Sequence, residues 1–200
     1  MDTEVVGKTF VVIIAVEDYL GSIPNVEFAK NDAKAFKNML IETLAVPETN
    51  IHSFINEEAT LEVIEDQLPK IIDELSPFDT FFFYYAGHAY STRGENSFTL
   101  FDSNQDNLNG TSAYFDELLL EPLSETPCKK AFLFMDASAT ELLKMKNPRS
   151  TITDICEKEF SEHACFFSTS VGQKSYPSSK PVSYTHLRAH ETDSYLVCRL

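Results

Sequence analysis

Two residues in this chain stand where chemistry could be done, His88 and Ser138, and each closes an apolar run. Asp79 to Ala89 reads DTFFFYYAGHA, an aromatic stretch ending on Gly87 and His88, and Ala131 to Asp136 reads AFLFMD and leads into Ala137 and Ser138. An imidazole can take up and return a proton near neutral pH, and a glycine beside it leaves room for a substrate to approach. A hydroxyl held within reach of that imidazole occupies the place of a nucleophile. Both residues also admit a plainer reading. Ser138 and Glu141 form an S-x-x-E pattern that caps a following helix, and His88 could do no more than hydrogen-bond a loop.

Such residues need elements to carry them. An apolar run of this length, bounded by Ser76-Pro77 and a glycine, reads as a strand buried on both faces. In open α/β sheets, ligands and chemistry gather beyond the carboxyl ends of the strands. If the two runs are parallel neighbours, His88 and Ser138 emerge side by side. The remaining pattern supplies the scaffold. Phe10 to Val16 is a central strand opening into a loop at Glu17 to Gly21. Ala29, Ala33, Phe36, Leu40 and Leu44 mark an amphipathic helix, with Asn31 and Asp32 as caps and Pro47 as its end. Asn50 to Ile55 is a short strand. Leu61, Ile64, Leu68, Ile71 and Leu75 mark a second helix, with Thr60 at its N-cap and a kink at Pro69.

Further on, Ser97 to Phe101 reads as a short edge hairpin, Tyr114 to Leu123 as a helix, Thr140 to Lys146 as a helical turn and Ala164 to Ser168 as a last strand. Strands alternating with helices predict an α/β three-layer sandwich, a mostly parallel central sheet with helices on both faces.

Length and charge narrow the function. The 200 residues suit one domain with a substantial core, and a formal charge of −15 disfavours nucleic acid and anionic membrane, which need a basic face. Peptides carrying positive charge fit better, although such a surface also serves solubility alone. Cys128, Cys156, Cys165 and Cys198 show no paired spacing, so neither a zinc site nor a disulfide framework is expected, and a reducing, cytoplasmic setting follows. The first residues lack a signal peptide's basic start, and no run reaches membrane-span length. Asp102, Asn104 and Asp106 imitate the start of a calcium loop, but Asn107 and Ala113 stand where its glycine and glutamate belong. No metal and no cofactor is expected.

The stretch 182–200, VSYTHLRAHETDSYLVCRL, has neither helical nor strand periodicity and resembles one reading frame of a transposase-type sequencing-library adapter. It is therefore set apart from a domain over 1–181, expected to be incomplete at its C-terminus. His186, His190 and Cys198 drop out as site candidates.

With that stretch aside, Phe81 to His88 resembles the histidine motif of the caspase and metacaspase cysteine peptidases, where an aromatic strand runs into Ser-Gly-His-Gly. Met135-Asp136-Ala137-Ser138 is similar to their Asp-Ala-Cys nucleophile turn, Phe167 to Tyr176 to the strand and loop after it, and Asn31-Asp32-Ala33 to the first-helix signature. The resemblance spans Phe10 to Tyr176 with every landmark in order. It implies the caspase-like fold and a cysteine–histidine dyad, with histidine at His88, the nucleophile position at Ser138, and Asp136 helping to hold a substrate arginine or lysine. No basic pocket argues for the aspartate preference of the caspases proper.

Serine at position 138 departs from the family, as do Ala139 and Thr140 after it and Ala89 after the histidine. A thiol, with reference pKa near ~8.5, ionises readily beside a histidine, whereas a hydroxyl needs a triad built for it. No third member is evident in the sequence. Cys165, inside the apolar run ACFFS, reads as an inert buried thiol rather than a replacement nucleophile. The expectation is a catalytically inactive homologue, a pseudopeptidase that binds peptide or protein. The alternative is an active cysteine endopeptidase cleaving after basic residues in the intact parent protein.

Overall fold

The run FVVIIA is apolar throughout because the strand it forms is covered on both sides. The computed structural model describes residues 6–92, 95–138 and 163–167, with the backbone alone at Ser91, Thr92, Glu95, Ser138, His163, Cys165 and Phe167. Within them the chain forms β1 (Thr9–Ala15), α1 (Ala29–Leu44), β2 (Ile51–Ile55), α2 (Leu61–Asp73) and β3 (Thr80–Thr92). There follow β4 (Glu95–Thr99), β5 (Ser112–Tyr114), α3 (Glu121–Glu125), β6 (Lys130–Ser138) and β7 (His163–Phe167).

Strands β2, β1, β3, β6 and β7 lie side by side in that order, and every pair among them is parallel. Alternate residues of β1 face opposite cores. Val11, Ile13 and Ala15 pack with Ala33, Phe36 and Leu40 of α1. Phe10, Val12 and Ile14 pack with Ile64, Leu68 and Ile72 of α2 and with Leu119 and Leu123 near α3. The result is the expected three-layer α/β sandwich. On the α1 face, Phe82 stacks on Phe132 at 5.1 Å between ring centroids, and Phe134 on Phe166 at 4.7 Å. These are cross-strand partners, so the aromatic residues that signalled the strands also hold them in register.

Several local expectations are corrected. α1 begins at Ala29 with Phe28 as its left-handed N-cap residue, so Asn31 and Asp32 fall inside the first turn and do not cap it. The Glu17 carboxylate accepts from the Lys30 N–H at 3.1 Å instead. Thr60 does cap α2, with Oγ1 accepting from Val63 N–H, and the helix runs on through Pro69. β5 and a π-helical turn over Asp116–Leu120 take up most of the stretch read as one helix from Tyr114, because Ala113 pairs with Phe98 of β4 and draws the chain into the sheet. Asp102, in the stretch that only imitates a calcium loop, accepts from Leu61 N–H at 2.9 Å and so serves the start of α2. Among the described residues no group of three or more potential metal ligands gathers, and no helix is long and apolar enough to cross a membrane.

α1 ends at Leu44, before Pro47, on Ala45, an exposed residue at φ 52°, ψ 35°. Its N–H and that of Val46 both close on Leu40 O. A Cβ is disfavoured in this left-handed position, where glycine is the usual residue. Ala45→Gly is expected to raise stability by about 1 kcal/mol, seen as a higher urea midpoint with an unchanged slope.

Candidate active site

β3 and β6 run in parallel from the pair Thr80 and Lys130 up to the pair Gly87 and Ala137, and the last pair is His88 with Ser138. His88 and Ser138 therefore close the parallel ladder side by side, the arrangement expected if the two runs were parallel neighbours. His88 does not stand just past its strand, however. β3 continues to Thr92 because β4 turns back and pairs antiparallel with Ala89 to Thr92. His88 thus sits inside β3, where the strand exchanges its parallel neighbour β1 for the antiparallel β4.

The imidazole is buried, and its Nε2 lies 2.9 Å from the carbonyl oxygen of Pro24. A carbonyl can only accept, so Nε2 carries the hydrogen, and in the neutral ring Nδ1 is the basic nitrogen. A third group orienting the histidine therefore exists, and it is a peptide carbonyl in the β1–α1 loop. Residue types carry no signal for such a group. The Tyr19 ring lies alongside, 5.6 Å from the imidazole with 30° between their planes.

That loop is held from below by Asn56. Its Oδ1 accepts from the N–H groups of Glu17 and Asp18, and its Nδ2 donates to the Asp18 carboxylate at 2.9 Å. Lys30 then bridges Glu17 and Asp18, at 3.2 and 3.0 Å. The Lys30 ammonium, with help from Asn56, lowers the Asp18 carboxyl below its ordinary value. Nothing in the sequence marks Asn56, because its work depends on the β2 end lying beneath the β1 end.

Asp136 pairs in register with Ala86, two residues before the His88 and Ser138 pair, and is partly buried. Asp32 lies in the first turn of α1, the helix that covers this face. Burial raises its carboxyl to about 6, and the negative charges of Asp136 and Glu17 push in the same direction. Two carboxylates from separate elements thus share one field near the strand tips. The sequence reading gave Asp32 a cap and a place in the first-helix signature, and no charge facing the site.

A family model for the caspase domain matches residues 8–192. The chain belongs to the caspase-domain family. The caspase domain is a cysteine peptidase domain by family. The match runs into the stretch 182–200, which lies outside the described residues. Among solved structures, the chain is similar to pro-sf-caspase-1, with 15% identity and a TM-score of 0.53 over 86% of this chain and 65% of that one. It is also similar to a Geobacter sulfurreducens protein, with 17% identity and a TM-score of 0.51 over 66% of this chain and 50% of that one. At such identities the likeness concerns the fold. The chain spans half of the second structure and just under two thirds of the first. No curated protein matches it in sequence.

Set in the caspase domain, the sequence-predicted residues come together: His88 and Ser138 in register, Asp136 beside them on β6. Glu141 of the capping pattern, the helical turn 140–146 and the loop up to Tyr176 lie outside the described residues, as do the side chains of Ser138 and Cys165. β7 places the Cys165 backbone opposite Leu133 on β6, well before the Ser138 end of that strand.

Gly87 is required by the hydroxyls around it. A Cβ there would come within 2.4 Å of Tyr85 Oη, that tyrosine being fully buried, and 3.0 Å from Tyr19 Oη. Gly87→Ala is expected to destabilise the domain by about 1–3 kcal/mol through overpacking, read by chemical denaturation.

Proposed function

We propose that this chain is a catalytically inactive caspase-domain protein that binds peptide or protein segments presenting arginine or lysine, without cleaving them. One observation carries the reading: serine occupies the register position opposite His88, while carboxylates from α1 and β6 still share a field beside it. A serine hydroxyl is a far weaker nucleophile than a thiolate unless a base and its orienting partner are arranged for it. Two carboxylates are suited to a guanidinium or ammonium, whose binding relieves their mutual repulsion. The overall charge of −15 supports the same partner class.

Calorimetric titration of the chain with arginyl, lysyl and aspartyl peptides tests this. Binding of the two basic peptides, without product by mass spectrometry, is the expected result. Cleavage by the serine form, or equal binding of the aspartyl peptide, would sink it. A second reading draws on the held imidazole: Nε2 on Pro24 O leaves His88 oriented as a working base. On that reading the intact parent protein is an active endopeptidase cleaving after basic residues, with cysteine at position 138.

A further inference from the structure

Building on the reading of His88 as the proton-transfer group, we infer that Tyr19 is a positioning residue for the imidazole, acting through a chain of hydroxyls it forms with Thr99 beneath residue 88. The reason lies in how β3 changes partner. In a strand, alternate residues present their N–H and C=O to the same neighbour. On the β1 side the last such contact is Val16 N–H to Ala86 O, at 2.9 Å, and the ladder with β4 begins only at Ala89. Residue 88 falls in the gap, with both backbone groups buried and in need of partners.

Side chains fill that place. The His88 N–H donates to Tyr19 Oη at 3.0 Å, and Tyr19 Oη lies 2.8 Å from Thr99 Oγ1. Thr99 Oγ1 donates to His88 O at 2.9 Å, and Tyr85 Oη lies 2.7 Å from the same oxygen. Each hydroxyl has one hydrogen. Since Thr99 gives its own to His88 O, Tyr19 must be the donor to Thr99, and the chain runs in one direction from the His88 N–H back to the His88 C=O. Burial raises the Tyr19 phenol above its ordinary value, so it stays a donor.

Tyr19 also touches the imidazole itself, its ring tilted against that of His88. It is carried by the loop that brings Pro24 O to Nε2. One side chain thus fixes the backbone from which the imidazole projects, one of the ring's faces, and the loop that holds its Nε2. Truncating the hydroxyl alone separates these contributions, because phenylalanine keeps the ring and loses the acceptor.

The test is hydrogen exchange at the His88 amide and the imidazole Nε2, followed by nitrogen-15 NMR on the full chain. Tyr90→Phe is the matched control: its phenol is buried beside the hydroxyls of Ser97 and Ser112. Tyr19→Phe is expected to speed exchange at both protons by about tenfold or more, and Tyr90→Phe to leave both unchanged. Thr99→Ser, which keeps the hydroxyl, is expected to hold the parental rates, and Thr99→Val to lose them. That pair decides the matter if Tyr19→Phe does not fold. In a Ser138→Cys background, Tyr19→Phe is expected to lower kcat about tenfold at unchanged KM.

Parental exchange at both protons in a folded Tyr19→Phe chain, acceleration of the amide alone, an unchanged kcat, or equal rates in the two Thr99 variants would overturn the assignment. An inactive Ser138→Cys chain would instead count against the reading of the site, and the exchange rates would still decide the role of Tyr19.

Discussion

Ser138→Cys is expected to create peptidase activity on arginyl and lysyl peptides where the serine form has none, a gain of about 10³-fold or more. The residue that changes is the register partner of His88, the last pair of the parallel β3–β6 ladder. The imidazole is already held through Nε2 by Pro24 O, so its other nitrogen is the one that can take a proton from a thiol. The thiol ionises near ~8.5 unassisted and lower beside such a base, whereas the serine hydroxyl has no comparable route to an anion. Adding His88→Ala to the cysteine variant is expected to abolish the gain. The measurement is cleavage of matched arginyl, lysyl and aspartyl peptides by purified chains. A folded cysteine variant with no activity would mean that the cleft has lost more than its nucleophile.

The second large effect concerns the acidic pair. Asp136→Asn and Asp32→Asn are each expected to weaken binding of an arginyl peptide by about 30-fold or more, the loss typical when one partner of a desolvated charge pair is removed. Because the Asp32 carboxyl is raised to about 6, its charge is available only above that pH. Affinity is therefore expected to fall as pH drops from about 7 to about 5, by up to about tenfold per pH unit once below the titration point. In Asp32→Asn that fall should vanish. Titrations at several pH values decide it, and a pH-independent affinity in the parent would dismiss Asp32 as a ligand-facing charge.

The same group affects stability with a sign that can be stated. Its folded value lies above the ordinary 3.8 of an unfolded aspartate, so between these values the folded state holds more protons. Stability accordingly declines as pH rises through about 4 to about 6, and burial together with Asp136 and Glu17 is the cause. Asp32→Asn is expected to flatten that decline in urea melts.

The patterns legible without coordinates were those set by alternation and by bulk. The apolar runs of β1, β3 and β6 and the three-and-four spacing of α1 and α2 had to be buried against something, and parallel crossovers were the simple way to do it. From the ends of those runs came His88 and Ser138, and the resemblance to the caspases and metacaspases added Asp136. Other features belong only to the folded chain, because they join groups far apart in sequence or have no side-chain signature. The carbonyl of Pro24 orients the imidazole, yet a carbonyl is common to every residue. Asn56 steadies the β1–α1 loop from the end of β2. β4 prolongs β3 beyond His88, and that exchange of neighbours leaves the backbone of residue 88 to Tyr19 and Thr99. Asp32 feels the charge of Asp136 because α1 packs over the face of the sheet that β6 completes. Periodicity says which side chains must leave water, while tertiary structure decides which polar groups meet once they have.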